Sequence, residues 1–273
     1  MSEVIRRSTL REQLTGALRE EVLAGRLVAG LEFTVREIAE SYGVSTTPAR
    51  EALLDLSAQG LLLVEQHRGF RVRSYTLTDF REMIEARSVV REGLPLADAG
   101  RPPPEYPRDA FTSIRRRAAT SGQAARAGDL DILVGYDLRF WRELTALRAN
   151  PYIAEFLDRL RAQCWAFLVP QLRAAVDGPC ASSVPALLWD GYLELADAVE
   201  RNDEVEAGAL VRGAHEHVLA AAAELAARAE AAGRRGRDRS TGAPTVRPTG
   251  GGSGGPGQGP EIGRDVFPDR DAG

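Results

Sequence analysis

TVREIAESYGVSTTPAREALLDLSAQGLLLVEQHRGFRVRSY, residues 34–75, decides the fold. Thr34 can accept from a backbone N–H while Glu37, three residues on, reaches back to it, the two halves of a capping box, so a helix opens here. Val35, Ile38, Ala39 and Tyr42 give that helix one apolar face. Gly43 falls where a helix closes in the left-handed conformation, and Val44 with Ser45 completes a turn so short that the next helix must cross the first steeply. Ser45 or Thr47 can cap that second helix. Pro48 stands in its first turn, where its missing N–H costs nothing, Ala52, Leu53 and Leu56 continue it, and Gly60 ends it. Leu61–Glu65 and Phe70–Ser74 then flank a polar tip, Gln66, His67, Arg68 and Gly69, which reads as strand, turn and return strand. Two crossed helices and a hairpin outline a winged helix-turn-helix, with the second helix as the element that would enter a DNA groove and the tip as a wing against the backbone or minor groove.

Working outward, Leu10, Leu14, Leu18 and Val22 recur every four residues behind a Ser8 cap and predict a leading helix whose stripe covers the helix-turn-helix core. Gly25 and Gly30 bracket its exit. From Thr76 to Ala232 the periodicity is helical throughout and no strand pattern competes. Proline and glycine clusters near 100–107, 121–128 and 177–185 divide it into helices over about 78–99, 108–121, 129–149, 151–175, 183–201 and 203–232. After Ala232 come Arg234, Arg235, Arg237 and Arg239 and then a run of Gly, Pro, Ser and Thr, which holds too little apolar surface to order itself. The expected organisation is mainly α: a winged helix-turn-helix over 1–75, an all-helical bundle over 76–232 and a disordered tail over 233–273.

Composition narrows the chemistry. The chain has 273 residues and a formal charge of −4, and all 35 basic side chains are arginine. Without lysine there is no phosphate-loop lysine and no pyridoxal Schiff base. No nucleophile stands beside a histidine and no metal constellation can be assembled, so neither an enzyme nor a bound cofactor is expected. Residues 1–75 carry ten arginines against ten acids, so contact with nucleic acid must depend on where the arginines point and not on net charge. Cys164 and Cys180 make no disulfide framework. No basic leader with an apolar run precedes Ser8 and no eighteen-residue apolar stretch occurs, so a cytoplasmic location with no membrane association is expected.

The segment 35–72 resembles the N-terminal domain of the GntR family of bacterial transcription regulators along its whole length, preceding helix and wing included. The resemblance implies double-stranded DNA contacts from Arg36 on the first helix, from Ser45, Thr46, Thr47 and Arg50 on the second, and from Gly69 in the wing. Their chemistry agrees. Arginine can grip guanine O6 and N7 with two parallel bonds, hydroxyls and helix N-terminal amides hold phosphates, and glycine lets a backbone approach closely. Arg36 and Arg50 are the expected base readers, and no acid stands at helical spacing to engage Arg50. Thr46 departs from the family's usual arginine, which implies an altered operator or looser binding. It also keeps open a second reading, a protein-interaction module with a degenerate winged helix. The missing lysine excludes the branch of the family fused to an aminotransferase-like domain.

The helical part resembles the FCD ligand-sensing domain of the FadR-like branch at Thr78–Arg87, at Asp137–Pro151 and at Asp203–His215. Many members hold a metal between an aspartate, a histidine one turn later and two further histidines. Here Asp137 is kept, Trp141 and Tyr192 replace two histidines, and His215 remains. His215 and His217 lie about 200° apart on a helix, so only one can face inward, and one aspartate with one histidine is too few ligands. No metal is expected. Trp141, Trp165, Trp189 and Tyr192 can line an apolar cavity or simply fill a core. Arg87, on an apolar face with Met83, Val90 and Leu94, must pair either with a structural acid such as Asp137 or with an effector carboxylate. The acid usual four residues after Arg87 is Arg91 here, with Glu92 displaced by one, so either the helix changes register or the pocket changes polarity. The expected effector site is Arg87, Asp137, Trp141, Tyr192 and His215, for a small molecule of open class. The expected protein is a ligand-responsive homodimeric regulator on a pseudo-palindromic operator, with repression the expected output.

Overall fold

The computed structural model describes residues 10–66, 68–97, 106, 109–178 and 181–241. The expectations placed on Ser8, His67, Cys180 and residues 242–273 lie outside them. The chain divides into two units on either side of the Ala226–Ala227 bond, and the winged helix and the bundle up to Ala226 both belong to the first.

Helix α1, Leu10–Leu23, buries Leu14, Leu18 and Val22 on the expected stripe. Helix α2, Val35–Ser41, starts on the capping box read from the sequence: Thr34 accepts from the Glu37 N–H and the Glu37 carboxylate accepts from the Thr34 N–H. Gly43 closes the turn at φ 63°. Helix α3, Thr46–Ala58, buries Ala49, Ala52, Leu53 and Leu56 against α1 and α2. Ser45 takes its N-cap position with extended backbone, but its hydroxyl makes no capping bond.

Strands β2, Leu62–Glu65, and β3, Gly69–Val72, pair antiparallel as the hairpin. A third strand, β1, Glu32–Phe33, completes the sheet in the order β1-β3-β2. Two residues leave no alternation to read, so this strand was invisible in the sequence. It changes the meaning of Gly69. At φ 109°, a Cβ there would stand 2.4 Å from the Phe33 carbonyl oxygen and 3.0 Å from the Thr34 Cα. The glycine is needed to pass β1, whatever the wing also does.

The bundle comprises α4, Leu77–Ala97; α5, Ala110–Ala127; α6, Leu130–Ala146; α7, Pro151–Val176; α8, Tyr192–Glu200; and α9, Glu204–Thr241. Helix α5 runs through the expected break at 121–128 because Ser121 and Gly122 are buried small residues packed against α6 and α8. A Cβ at Gly122 would come within 3.1 Å of the Asp190 carbonyl oxygen. The stretch expected as one helix over 183–201 is instead two single 3-10 turns, Ala181–Ser183 and Pro185–Leu187, before α8. Pro185 and the glycine at 191 set that division. Helix α9 continues past Ala232 to Thr241.

Helix α7 docks the bundle onto the winged helix. Gln163 donates to the Gln59 carbonyl at 2.8 Å, Arg19 of α1 reaches Asp158 at 3.4 Å, and Arg173 bonds the Ala24 carbonyl. Tyr75, in the connection between β3 and α4, donates to the Gly60 carbonyl at 2.6 Å, and burial pushes its phenol up to about 12.

Candidate nucleic-acid interface and buried polar centre

The helix-turn-helix presents Arg36, Ser45, Thr46, Thr47 and Arg50 all exposed to solvent. Local folding explains why. On α2 the apolar positions Ile38 and Ala39 turn inward, which leaves Arg36 outward; on α3, Ala49, Ala52 and Leu53 turn inward, which leaves Thr46, Thr47 and Arg50 outward. Arg50 has no ion-pair partner among the described residues. Arg36 does: its Nε donates to Glu40 at 2.6 Å one turn along α2, a pair the sequence reading overlooked although its i, i+4 spacing was legible. Both side chains are open to water, so the pair can be exchanged for another acceptor. Thr46 and Thr47 contribute first-turn amides with no helical acceptor, and Pro48 contributes none. Arg68 and Gln66 are exposed on the hairpin tip, while Gly69 is half-buried beneath it.

In the bundle the structure brings together Arg87, Asp137, Tyr192 and His215 around a cavity of about 50 Å³. Trp141 does not line it and faces a smaller recess shared with Arg87, Arg91 and Arg161. Asp137, fully buried, is saturated. Arg161 of α7 grips both its oxygens, with Nε at 2.6 Å, Trp165 Nε1 donates at 2.6 Å and the Tyr192 hydroxyl donates at 2.7 Å. Burial, and then the neighbouring carboxylate, hold the Tyr192 phenol well above its ordinary range, so it stays a donor.

Of the two partners expected for Arg87, a structural acid such as Asp137 or an effector carboxylate, Asp137 is taken by Arg161. Arg87 is 6% exposed and touches Cys164 Sγ at 3.8 Å. Arg161 was missed in the sequence, yet it stands four residues before Trp165, on the same helical face, and both reach Asp137. The aromatic residues fill space more than they line it: Trp141, Phe140, Tyr192 and Trp189 form one contiguous ring cluster with centroids 4.8–6.3 Å apart.

A metal does not fit this centre. The Asp137 oxygens are committed to three donors, Trp141 and Tyr192 offer no imidazole, and His215 Nδ1 lies 2.7 Å from Ser88 Oγ. Among the described residues no group of three His, Cys, Asp or Glu side chains is placed to hold an ion. Burial and the cations Arg87, Arg161 and Arg91 push the His215 imidazole down to about 3, so it is neutral. Ser88 also donates to the Ile84 carbonyl at 3.0 Å. Its oxygen therefore accepts from Nδ1–H, which leaves His215 Nε2 as a buried acceptor without a partner.

Helix α4 runs without interruption from Leu77 to Ala97 and carries Arg91 one turn after Arg87. The Arg91 guanidinium lies 5.0 Å from the Trp141 ring centroid. Burial first, then Arg87, Arg161 and Arg148, push it down to about 9; it remains charged at neutral pH.

A winged helix-turn-helix with outward arginines, docked through one helix onto a bundle with a polar interior, defines a DNA-binding regulator with a sensory domain. Residues 10–72 match the model of the bacterial regulatory proteins of the gntR family, and residues 77–217 match the FCD domain. The chain belongs to the gntR family, with an FCD domain following its winged helix, and is a DNA-binding transcription regulator. It is 27% identical over 202 residues to the Paenarthrobacter nicotinovorans protein named "Probable D-xylose utilization operon transcriptional repressor", covering 74% of this chain and 84% of that one. Over 70 residues, 26% of this chain and 29% of the relative, it is 36% identical to the HTH-type transcriptional regulator BphR of Paraburkholderia xenovorans. Among solved structures, E. coli McbR/YncC shares the fold with a TM-score of 0.63 at 19% identity, covering 80% of this chain and 99% of that chain. A Rhodococcus sp. RHA1 regulator described as GntR does so with 0.61 at 21%, covering 80% and 99%. Among the described residues no helix is long and apolar enough to cross a membrane.

Proposed function

We propose that the chain acts in the cytoplasm as a homodimeric, ligand-controlled repressor on a two-fold symmetric operator, without catalytic activity. The observation that carries this reading is the outward row Arg36, Ser45, Thr46, Thr47 and Arg50 on a helix pair whose other face is wholly core. Arg50 and Arg36 read base edges, the latter by leaving Glu40. Ser45, whose hydroxyl is not spent on capping, holds phosphate with Thr46 and Thr47, and Gly69 lets the wing approach the backbone. The family function and the relative named as an operon repressor support repression as the output.

The effector enters the bundle beside Arg87, Asp137, Trp141, Tyr192 and His215. Helix α7 carries the signal, since it bears Arg161 at the polar centre and, within one turn on either side, Asp158 and Gln163 at the winged helix. An effector that repositions Arg161 has a rigid lever to α1 and α3.

Selection of bound duplexes from a randomised pool at near-physiological salt tests the reading. A two-fold symmetric motif supports it; an enriched pool without a motif, or no enrichment, overturns it. Thr46, where the family usually has arginine, favours one alternative, an interaction module whose winged helix no longer binds DNA. Such a module tolerates Arg36→Ala and Arg50→Ala without loss of function, whereas the regulator does not.

A further inference from the structure

The end of α3 is held by side chains from outside the helix-turn-helix. The helix closes in a Schellman motif: Gly60, left-handed at φ 79°, donates to the Ser57 carbonyl at 2.9 Å, and Leu61 donates to the Leu56 carbonyl at 3.0 Å. That motif does not serve the Gln59 and Gly60 carbonyls. Gln163 of α7 donates to the first at 2.8 Å and the Tyr75 hydroxyl to the second at 2.6 Å. Both side chains close on Gly60, where an added Cβ would meet the Gln163 amide and come within 3.2 Å of the Tyr75 oxygen. On α7, Gln163 stands two residues from Arg161 and two from Trp165, about 200° from each, so the same turn serves Asp137 with one side and the end of α3 with the other. Apolar packing does not fill this junction: an open cleft of about 570 Å³ runs between α1, the end of α3 and α7, with Arg19, Asp55, Gln59 and Asp158 in its walls. The other bridges, Arg19 to Asp158 and Arg173 to the Ala24 carbonyl, hold α1 and its exit and not α3.

We infer that Gln163 and Tyr75 are positioning residues: they fix the tilt of the winged helix on the bundle, and with it the separation between half-sites that the protein accepts. The inference rests on the dimeric regulator reading and deepens it by naming what sets the geometry of the operator. Ala49, Ala52, Leu53 and Leu56 bind α3 into the core of the winged helix, so holding its end holds the whole module. From Ala58 to Thr46 the helix spans about 18 Å. A tilt of about 5° at the pinned end therefore carries Thr46 through about 1.5 Å, more than a hydrogen bond tolerates. With two copies joined through their bundles, each module's tilt decides where its α3 meets the duplex. The pins act at the end of α3 opposite to Thr46 and Thr47, so they set spacing and leave the choice of bases to Arg36 and Arg50.

The test is selection from duplexes that carry two copies of the half-site recovered from the randomised pool, separated by spacers of every length up to about one helical turn. It is run with the full chain and with Gln163→Glu, Gln163→Leu and Tyr75→Phe in the full chain. Gln163→Glu keeps the size of the side chain and loses its donor; Tyr75→Phe loses only the hydroxyl. The unsubstituted protein takes one spacer length. Each variant loses about fivefold in affinity at that length and accepts neighbouring lengths that the unsubstituted protein rejects, with the bases of the half-site unchanged. Spacer preference is read among bound duplexes, so a smaller folded fraction does not move it. Ile114→Val, a core change in α5, lowers Tm and keeps the original spacer. One spacer length shared by all the pin variants overturns the inference and leaves the regulator standing. Altered half-site bases in those variants overturn it too, because the pins would then act on base readout. No preferred spacer in the unsubstituted protein overturns the dimeric reading and the inference together.

Discussion

Gly69 and His215 show single residues whose environment sets their role. Gly69 is held at φ 109° with the Phe33 carbonyl against it, so Gly69→Ala meets both a left-handed penalty of about 1–2 kcal/mol and a clash with backbone that cannot step aside. Urea unfolding is expected to show destabilisation beyond that penalty, together with loss of DNA binding as β1 detaches from β3. His215 is neutral in the fold, its imidazole pushed down to about 3 by burial and by Arg87, Arg161 and Arg91, whereas unfolded histidine titrates near 6.5. A folded value below the unfolded one means the unfolded chain binds the extra proton, so the neutral histidine favours the fold above about pH 6.5 and that preference is lost as pH falls toward 3. While pH lies between the two values, stability should fall by about 1.4 kcal/mol per pH unit from this residue alone. His215→Asn should flatten that slope in denaturant titrations between about pH 6 and 4; an unchanged slope would place the acid sensitivity elsewhere.

At the scale of elements, α7 joins the two halves through few contacts, and they are separable by substitution. Asp158 serves Arg19 of α1 and Arg142 of α6, and burial already pushes the Arg19 guanidinium down. Asp158→Asn leaves that cation without its acid and should cost about 1–3 kcal/mol in urea unfolding. Adding Arg19→Met should recover part of the loss, since an apolar side chain needs no counter-charge there; a double variant no more stable than Asp158→Asn would mean the pair is not what docks α1. Elements also show how far the sequence was legible. The capping box at Thr34, the glycine at 43 and the stripe on α1 are local signals, so α1, α2, α3 and the hairpin could be read in place. β1 could not, because two residues carry no period and its strand identity comes from Phe33 meeting Phe70 across the sheet. The polar centre was half legible: Asp137 and Tyr192 stood out, but Asp137 was one of two partners left open for Arg87, when Arg161 reaches it from a helix whose register against α6 only tertiary packing sets.

For the whole molecule, charge bears on the proposed dimer. The chain carries a net −4, and its first 75 residues hold as many acids as arginines, so long-range attraction to phosphate is weak and affinity must come from placed contacts. With Arg50 as the proposed base reader of a single α3, a bidentate contact to guanine is worth about 1–3 kcal/mol of discrimination, short of what an operator needs against a genome of competing sites. In the proposed dimer, two copies joined through their bundles would supply the difference, because the second winged helix then binds at a high effective concentration. The expected solution mass by light scattering is therefore twice 29.6 kDa. On a selected operator, inserting about 5 base pairs between half-sites turns them to opposite faces of the duplex and should abolish tight binding, while inserting about 10 restores the face and recovers part of it. Arg50→Ala should act at both half-sites, relaxing preference at the same base pair of each by about 1–3 kcal/mol. Binding indifferent to the 5-base-pair insertion would mean the copies engage DNA independently, and the geometry by which an effector in the bundle controls DNA would have to be sought within one chain, along α7.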